Sequence, residues 1–362
     1  MKPSTKRQIF EVRNMSLFNE LDVVVKSFNR PDKLLNLVTA WNDLYPDVSL
    51  TICDDSNIEM PFSDSVFKKH HIIIIPDKYM GVSYGRNYGI DNTDKKYILF
   101  LDDDFVPHKG TNLNKLFALF EMCSDIGLVG GVCGERNPTA VIQGGKLELD
   151  DGLCKKTCLY DSFETFKGIS YRYCSMTDLF FIAKREVFND VRWDSDLKIA
   201  EHTDFFLQLS KTPWKIVFTP EVQIGHDQTT QYSSNYNTYR YGNFGYFKEL
   251  SWKKHNIVRE IYCDKDGNLQ KEWITSYARI DFEPTGIIRP YSSKLDGLAL
   301  VEVIDSGPNK KQTRVLAVGK KNASLTPGEI VTISTTYNPK EISLGGKYQS
   351  SKIYLIETRG KQ

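Results

Sequence analysis

Between Leu21 and about residue 130 the chain alternates strand-like and helix-like segments, and that alternation restricts its fold more than any other feature. Residues 21–26 read as a strand. Leu34, Leu35, Leu37, Val38 and Trp41 then fall on one face of a helix over 32–42. Strands follow at 48–53 and 72–75, a helix at 83–90, and a continuous apolar strand at 97–101 bounded by charge. A further helix at 113–123 turns Leu116, Phe117, Leu119, Phe120 and Cys123 inward. Strands alternating with helices predict an α/β fold whose mainly parallel sheet is covered on both faces.

Past residue 130 the order becomes mixed. Residues 144–161 have hairpin-like polarity, 179–183 are apolar, 203–209 look helical, 214–219 look like a strand, and 232–252 are rich in aromatics. From about residue 265 the texture changes again. Asp266-Gly267, Pro284-Thr285-Gly286, Ser306-Gly307-Pro308 and Pro327-Gly328 separate short β-prone runs at 298–304, 314–318, 330–335 and 353–357. Short strands between turn signals predict a small all-β module. The 362 residues therefore divide into a domain over 1–264 and a β-rich domain over 265–362, the latter serving oligomerisation or acceptor binding.

The 47 basic and 46 acidic residues leave a net charge of +1, which argues against a wholesale nucleic-acid binder. Aromatics make up 12% of the chain, a content that suits sugar-binding surfaces and large cores alike. The N-terminal MKPSTKRQIFEVRN has no apolar stretch of signal-peptide length, and the longest aliphatic run, 72–75, is far too short to cross a bilayer. The seven cysteines, Cys154 and Cys158 among them, show no paired C-x-x-C spacing, so reduced thiols are expected. These features predict a cytoplasmic protein, at most peripheral to the inner face of a membrane.

The strongest local feature is Tyr97-Ile-Leu-Phe-Leu followed by Asp102, Asp103 and Asp104. A buried strand that ends in carboxylates delivers them to the crevice where open α/β sheets bind ligands. Asp102 and Asp104 form a D-x-D pair able to hold Mg²⁺ or Mn²⁺ against phosphate oxygens. Three other segments precede it: Val23 through Ser27, Phe28, Asn29, Arg30 and Pro31; then Leu50 through Asp54, Asp55, Ser56 and Asn57; then Gly81-Val-Ser-Tyr-Gly-Arg86-Asn87.

With these four motifs in this order, residues 20–230 resemble the family 2 glycosyltransferases of GT-A fold, a Rossmann-like mixed and mainly parallel sheet. The resemblance implies a nucleotide-sugar site that includes Ser27, Asn29, Arg30, Asp54, Asp55, Lys78, Gly81, Arg86, Asp102 and Asp103, with Asp54 or Asp55 on the base or ribose. Arg86 would reach the diphosphate, a role that suits its permanently charged fork. Ser56 and Asn57 replace the family's common Gly-Ser, which leaves the shape of that turn open.

Further on, Glu201-His202-Thr203-Asp204-Phe205-Phe206 is similar to a segment of the ganglioside-type β-1,4-N-acetylgalactosaminyltransferases. That likeness implies Asp204 as the general base, with Glu201 as the alternative or an orienting residue. Thr203 stands where relatives have an acid, so the choice stays open. The strand at 214–219 leading to Gly225-His226 is similar to GT-A enzymes in which such a histidine completes the metal site, giving a ligand set of Asp102, Asp104 and His226 for Mn²⁺ or Mg²⁺. Asp178 lies in position to touch donor or acceptor hydroxyls. Tyr232, Tyr236, Tyr239, Tyr241, Phe244, Tyr246, Phe247 and Trp252 either pack in a core or stack on acceptor sugars.

The expected activity is inverting transfer of a sugar from a nucleotide sugar, a UDP-sugar first, to a glycan, glycolipid or polymer hydroxyl in cell-surface polysaccharide or glycoconjugate synthesis. Two competing readings are a nucleotidyltransferase and a non-catalytic carbohydrate-binding scaffold. The former would need a Gly-rich basic loop near the N-terminus, and Asn29-Arg30-Pro31 is not one. The latter would use the aromatic segment and the β-module.

Overall fold

The computed structural model describes residues 17–137, 140–159, 163–228, 236, 244–257 and 259–274, then strands at 280–282, 288–290, 298–306, 310–318, 330–334, 340–342 and 353–357. The chain divides into two compact units, one of residues 1–147, 156–251 and 262–268, the other of 148–155, 252–261 and 269–362. The longest stretch of the second unit is 269–362, and the unit also takes in two short stretches from earlier in the chain.

Over the first 226 residues the expected alternation is present. Strands β1 (Leu21–Ser27), β2 (Thr51–Asp54), β3 (His71–Ile74) and β4 (Tyr97–Asp102) are followed by β5 (Phe105–Val106), β6 (Ile126–Cys133), β7 (Lys146–Asp150), β8 (Leu153–Thr157), β9 (Glu164–Phe166), β10 (Ile169–Cys174), β11 (Phe181–Lys184) and β12 (Lys215–His226). The main sheet has the order β3-β2-β1-β4-β11-β6-β12-β10-β9, with β5 paired to β12. β1 pairs parallel to both β2 and β4, β2 to β3, and β6 to β12, whereas β11 runs antiparallel between β4 and β6. The sheet is therefore mixed and mainly parallel.

Helix α1 (Pro31–Leu44) starts with proline in its first turn, where a missing N–H costs nothing, and buries Leu34, Leu37, Val38 and Trp41. Helix α2 (Val82–Asp91) packs on β1 so closely that a methyl group on Gly85 would lie 2.0 Å from the Lys26 side chain. Helix α3 (Leu113–Leu119) is followed by α4 (Val187–Asp190), α5 (Glu201–Leu209) and α6 (Phe244–Lys254).

β12 runs well past the strand expected at 214–219. Its register shifts between Phe218 and Gln223, around Pro220, which has no N–H to give to the ladder. The continuation pairs Gly225 with Val106 and His226 with Phe105. This extension brings His226 beside the end of β4.

The aromatic content is largely a core property here. Trp193 and Phe205 stack with centroids 4.1 Å apart, and Phe100, Phe181, Phe188 and Phe206 close around them. Each fully buried aromatic is worth roughly 1.5–3 kcal/mol. Tyr232, Tyr239 and Tyr241 lie outside the described residues.

Further along, β13 (Arg259–Cys263), β14 (Leu269–Ile274), β15 (Ile280–Phe282) and β16 (Ile288–Pro290) precede β17 (Leu298–Ser306), β18 (Lys310–Val318), β19 (Ile330–Ser334), β20 (Lys340–Ile342) and β21 (Ile353–Glu357). The last five form an antiparallel sheet of order β19-β18-β17-β21-β20 around a small core of Ala299, Val301, Val315 and Tyr354, as the turn-punctuated sequence predicts. Among the described residues no helix is long and apolar enough to cross a membrane.

Candidate active site

A cavity of about 610 Å³ opens in the first unit beyond the carboxyl ends of β1, β2 and β4, between the starts of α2 and α5. Parallel strands converge their C-terminal residues here, as expected of an open α/β sheet. Arg30, Asp55, Gly81, Arg86, Asp102, Asp103 and Glu201 line it, so seven of the residues implied by the sequence meet at one place.

Arg86 is the hub. Its guanidinium is buried, donates from Nη2 to Asp102 Oδ1 at 2.7 Å and from Nη1 to Glu201 Oε1 at 2.6 Å, and lies 4.7 Å from the Trp193 ring centre. One fork thereby joins the D-x-D strand to the first residue of α5. The sequence placed Arg86 on a helix but gave no sign of either partner.

Asp55 pairs with Lys26, and its Oδ2 accepts the Gly81 N–H at 3.1 Å. Asp54 instead folds back within its own turn, where its carboxylate accepts the Ser56 N–H at 3.2 Å and the Ser56 hydroxyl at 2.7 Å. Of the two acids left open by the sequence, Asp55 is the one at the cavity. Asn29 adopts φ 52°, receives the Asn57 N–H on its Oδ1 at 3.0 Å and donates its own N–H to Ser56 Oγ at 2.7 Å. It braces the ends of β1 and β2. Ser27 is buried and Lys78 exposed, and neither lines the cavity.

Gly81 caps α2 with φ 92°, and a Cβ there would stand 2.5 Å from the Lys198 Cα. Only glycine fits, because both the backbone angle and the approach exclude a side chain. The next residue, Val82, donates its N–H to the Lys198 carbonyl at 3.0 Å, and Ser83 Oγ donates to the Leu197 carbonyl at 2.6 Å. The segment before α5 is thus stitched onto α2. Tyr79 and Ala200, both lining the cavity, also have positive φ, at 61° and 64°; non-glycine residues held this way concentrate at functional sites.

Arg30 pairs with Asp103 and donates to Asp104 Oδ2 at 2.5 Å. Burial pushes the Asp103 carboxyl up to about 6, against the opposing charge of Arg30. Burial also acts on Asp104, but hydrogen bonds from His226 and Arg30 outweigh it and hold that carboxylate near 2. His226 Nε2 lies 3.4 Å from Asp104 Oδ2.

Residues 22–175 match the family described as Glycosyl transferase family 2. The chain is 29% identical to the mouse β-1,4 N-acetylgalactosaminyltransferase 1 over 193 residues, which is 51% of this chain and 35% of the relative. The human protein of the same name is 28% identical over 195 residues, and mouse β-1,4 N-acetylgalactosaminyltransferase 2 is 26% identical over 196. The chain spans about a third of the length of these curated relatives. Among solved structures, S. aureus TarS 1-349 covers 64% of the chain at 14% identity and a TM-score of 0.40, and GalNAc-T7 with UDP, GalNAc and Mn²⁺ covers 57% at 14% and 0.41.

The expected metal ligands are partly assembled. Asp104 Oδ1 is buried without a hydrogen-bond partner, and an ionised oxygen in that position, next to an imidazole, suits a divalent cation. Asp102 is turned to Arg86 instead, and among the described residues no three acidic, histidine or cysteine side chains converge as a ready metal site. Asp104 and His226 fit such an ion; Asp102 would have to share its carboxylate with Arg86.

Asp204 does not line the cavity. It is wholly buried one turn behind Glu201 and accepts from Gln208 Nε2 at 2.6 Å. Asp178 also lies outside the lining, buried with its Oδ2 accepting the Cys133 N–H at 3.1 Å, and burial pushes its pKa up to about 7. Conversely, Lys26, Tyr79, Lys198 and His202 line the cavity without having been singled out. Aromatic spacing did flag Tyr236, Phe244, Tyr246 and Phe247, which line it as well.

Proposed function

We propose that this protein is a glycosyltransferase that moves a sugar from a UDP-sugar to an acceptor hydroxyl by a single, inverting displacement. One observation carries the reading: Arg86 bridges the D-x-D acid Asp102 and Glu201 across the cavity, so a buried guanidinium, a group suited to a diphosphate, stands between the strand ends and the start of α5. The match of residues 22–175 to the glycosyl transferase family 2 model supports the reaction class. The names of the curated relatives support N-acetylgalactosamine or a related N-acetylhexosamine as the donor sugar.

In this mechanism Asp55 receives the nucleoside, with Gly81 and Lys26 fixing the carboxylate. Arg86 and Arg30 stand over the diphosphate. Asp104 and His226 would hold Mn²⁺ or Mg²⁺, with Asp102 completing the set. The ion supplies charge neutralisation for the leaving diphosphate. The acceptor hydroxyl approaches from the α5 side, where Glu201 reaches the cavity and Asp204 lies behind it, and its oxygen attacks the anomeric carbon as the bond to phosphate breaks. Transfer would build a cell-surface polysaccharide or glycoconjugate from a cytoplasmic donor pool. The β-rich second unit would engage the acceptor or a second copy, and light scattering of the full chain separates these uses.

A panel of nucleotide sugars with Mn²⁺, read by thermal shift, tests the donor because a ligand of the native state raises its melting temperature. UDP-N-acetylgalactosamine is expected to give the largest shift among UDP-sugars; a panel without any shift would reject the proposal. NMR of the product is expected to show inverted anomeric configuration.

A further inference from the structure

The carboxylates that line the cavity are already committed to cations. Asp55 is paired with Lys26, Asp103 with Arg30, and Asp102 and Glu201 share Arg86. A carboxylate that accepts an arginine hydrogen bond has less electron density to offer a substrate hydroxyl. Asp204 sits behind the wall with Gln208 on it.

His202, the second residue of α5, is different. It lines the cavity, and its Nε2 lies 2.7 Å from the Thr177 carbonyl. A carbonyl oxygen only accepts, so Nε2 carries the hydrogen, and in the neutral ring Nδ1 then holds the lone pair. The Phe206 ring packs edge-on against the imidazole at 5.2 Å between centroids, which fixes the ring plane. Burial, with Lys156 and Arg86 acting the same way, holds the pKa down at about 4 against the Thr177 hydrogen bond and Asp102. The imidazole is therefore neutral at neutral pH, with a basicity close to that of an ordinary carboxylate.

Resting on the glycosyltransferase reading, we propose that His202 Nδ1 is the general base that takes the proton from the acceptor hydroxyl. The O–H bond breaks and its proton moves to the Nδ1 lone pair. The acceptor oxygen forms its bond to the anomeric carbon while the carbon–phosphate oxygen bond breaks, and that electron pair leaves with the diphosphate. The imidazolium keeps its Nε2 hydrogen on the Thr177 carbonyl and returns the Nδ1 proton to water after the product departs. Glu201 then acts as a positioning residue, holding Arg86 in place.

The test uses the full chain with Mn²⁺, UDP-N-acetylgalactosamine as donor and water as acceptor, reading UDP release, with UDP affinity by calorimetry alongside. His202→Gln keeps an amide donor for Thr177 but has no basic lone pair; turnover is expected to fall by roughly 10²–10⁴-fold with UDP affinity changed by less than about threefold. In His202→Ala, added imidazole is expected to restore part of the turnover, which a structural role would not produce. Turnover of His202→Gln within about threefold of wild type overturns the assignment, as does a parallel loss of turnover and UDP affinity. Loss in His202→Ala that imidazole does not relieve makes His202 a positioning residue and overturns it too. A wild-type chain that neither binds UDP nor releases it from the donor overturns the glycosyltransferase reading and this one together, an outcome the variants cannot mimic.

Discussion

Arg86 and Glu201 meet at 2.6 Å although 115 positions separate them in the chain. The pair is almost wholly buried, with side-chain exposures of 2% and 8%, so neither charge has water to fall back on. Removing one partner of such a pair strands the other. Arg86→Ala is expected to cost about 3–5 kcal/mol of stability, read as a lower urea midpoint, and to abolish UDP binding. Arg86→Lys keeps the charge but loses the fork that serves Asp102 and Glu201 together. It should be the milder variant in urea and still bind UDP at least about tenfold more weakly, a loss of about 1.4 kcal/mol.

Gly81→Ala should destabilise by more than the roughly 1 kcal/mol of an ordinary glycine substitution, since its Cβ would meet the Lys198 backbone and φ is 92°. Thermal unfolding checks this, with a control at Gly267, where φ is 85° but nothing lies within 4 Å of an added Cβ. Only the Gly81 variant should also weaken UDP binding, because the Gly81 N–H holds Asp55.

Asp104→Asn removes one charge from the expected cation site while keeping the shape. Donor turnover should drop by at least about 100-fold, on the order of an electrostatic contributor to a transition state, and calorimetry should show weakened Mn²⁺ binding. Treating the wild type with chelator should abolish turnover, and added Mn²⁺ should restore it.

Asp178 sets a pH dependence of stability. Its folded pKa of about 7 lies above the unfolded value near 3.9, so the folded state holds the proton more tightly. Its stabilising share is complete below about pH 4 and is lost as pH rises through 7. In metal-free protein Asp178→Asn should flatten that slope, with a difference of at most roughly 4 kcal/mol at full titration. Urea midpoints of both proteins at pH 5 and pH 8 test it.

Much of this architecture was legible because periodicity and strand-end motifs are local. The apolar run 97–101 ended in acids, and a strand of that kind leads to the crevice; β4 does so. Leu34, Leu37, Val38 and Trp41 were placed on the buried face of α1 by spacing alone. Partner choice was not local. Asp54 and Asp55 are adjacent and chemically alike, and only the fold of the turn, with Ser56 donating to Asp54, turns one inward on itself and the other toward Lys26. Asp204 and Glu201 pose the same problem one helical turn apart, since the side that α5 presents depends on its docking to the Lys198 segment and α2. His202 stood within the motif at 201–206 but was given no role of its own, because a single histidine carries no periodic signal.

Among the described residues the cavity's lining has four cations, Lys26, Arg30, Arg86 and Lys198, and four anions, Asp55, Asp102, Asp103 and Glu201. Its electrostatic account is closed before anything enters. A nucleoside diphosphate arriving alone would find each of Lys26, Arg30 and Arg86 already turned to a carboxylate, and a divalent ion arriving alone would find Arg30 on Asp104. Together they add charges of opposite sign to a balanced site, so each should raise the affinity of the other by the same factor. Nucleotide and metal are then one composite ligand in thermodynamic terms, and a titration with either by itself would under-report the site.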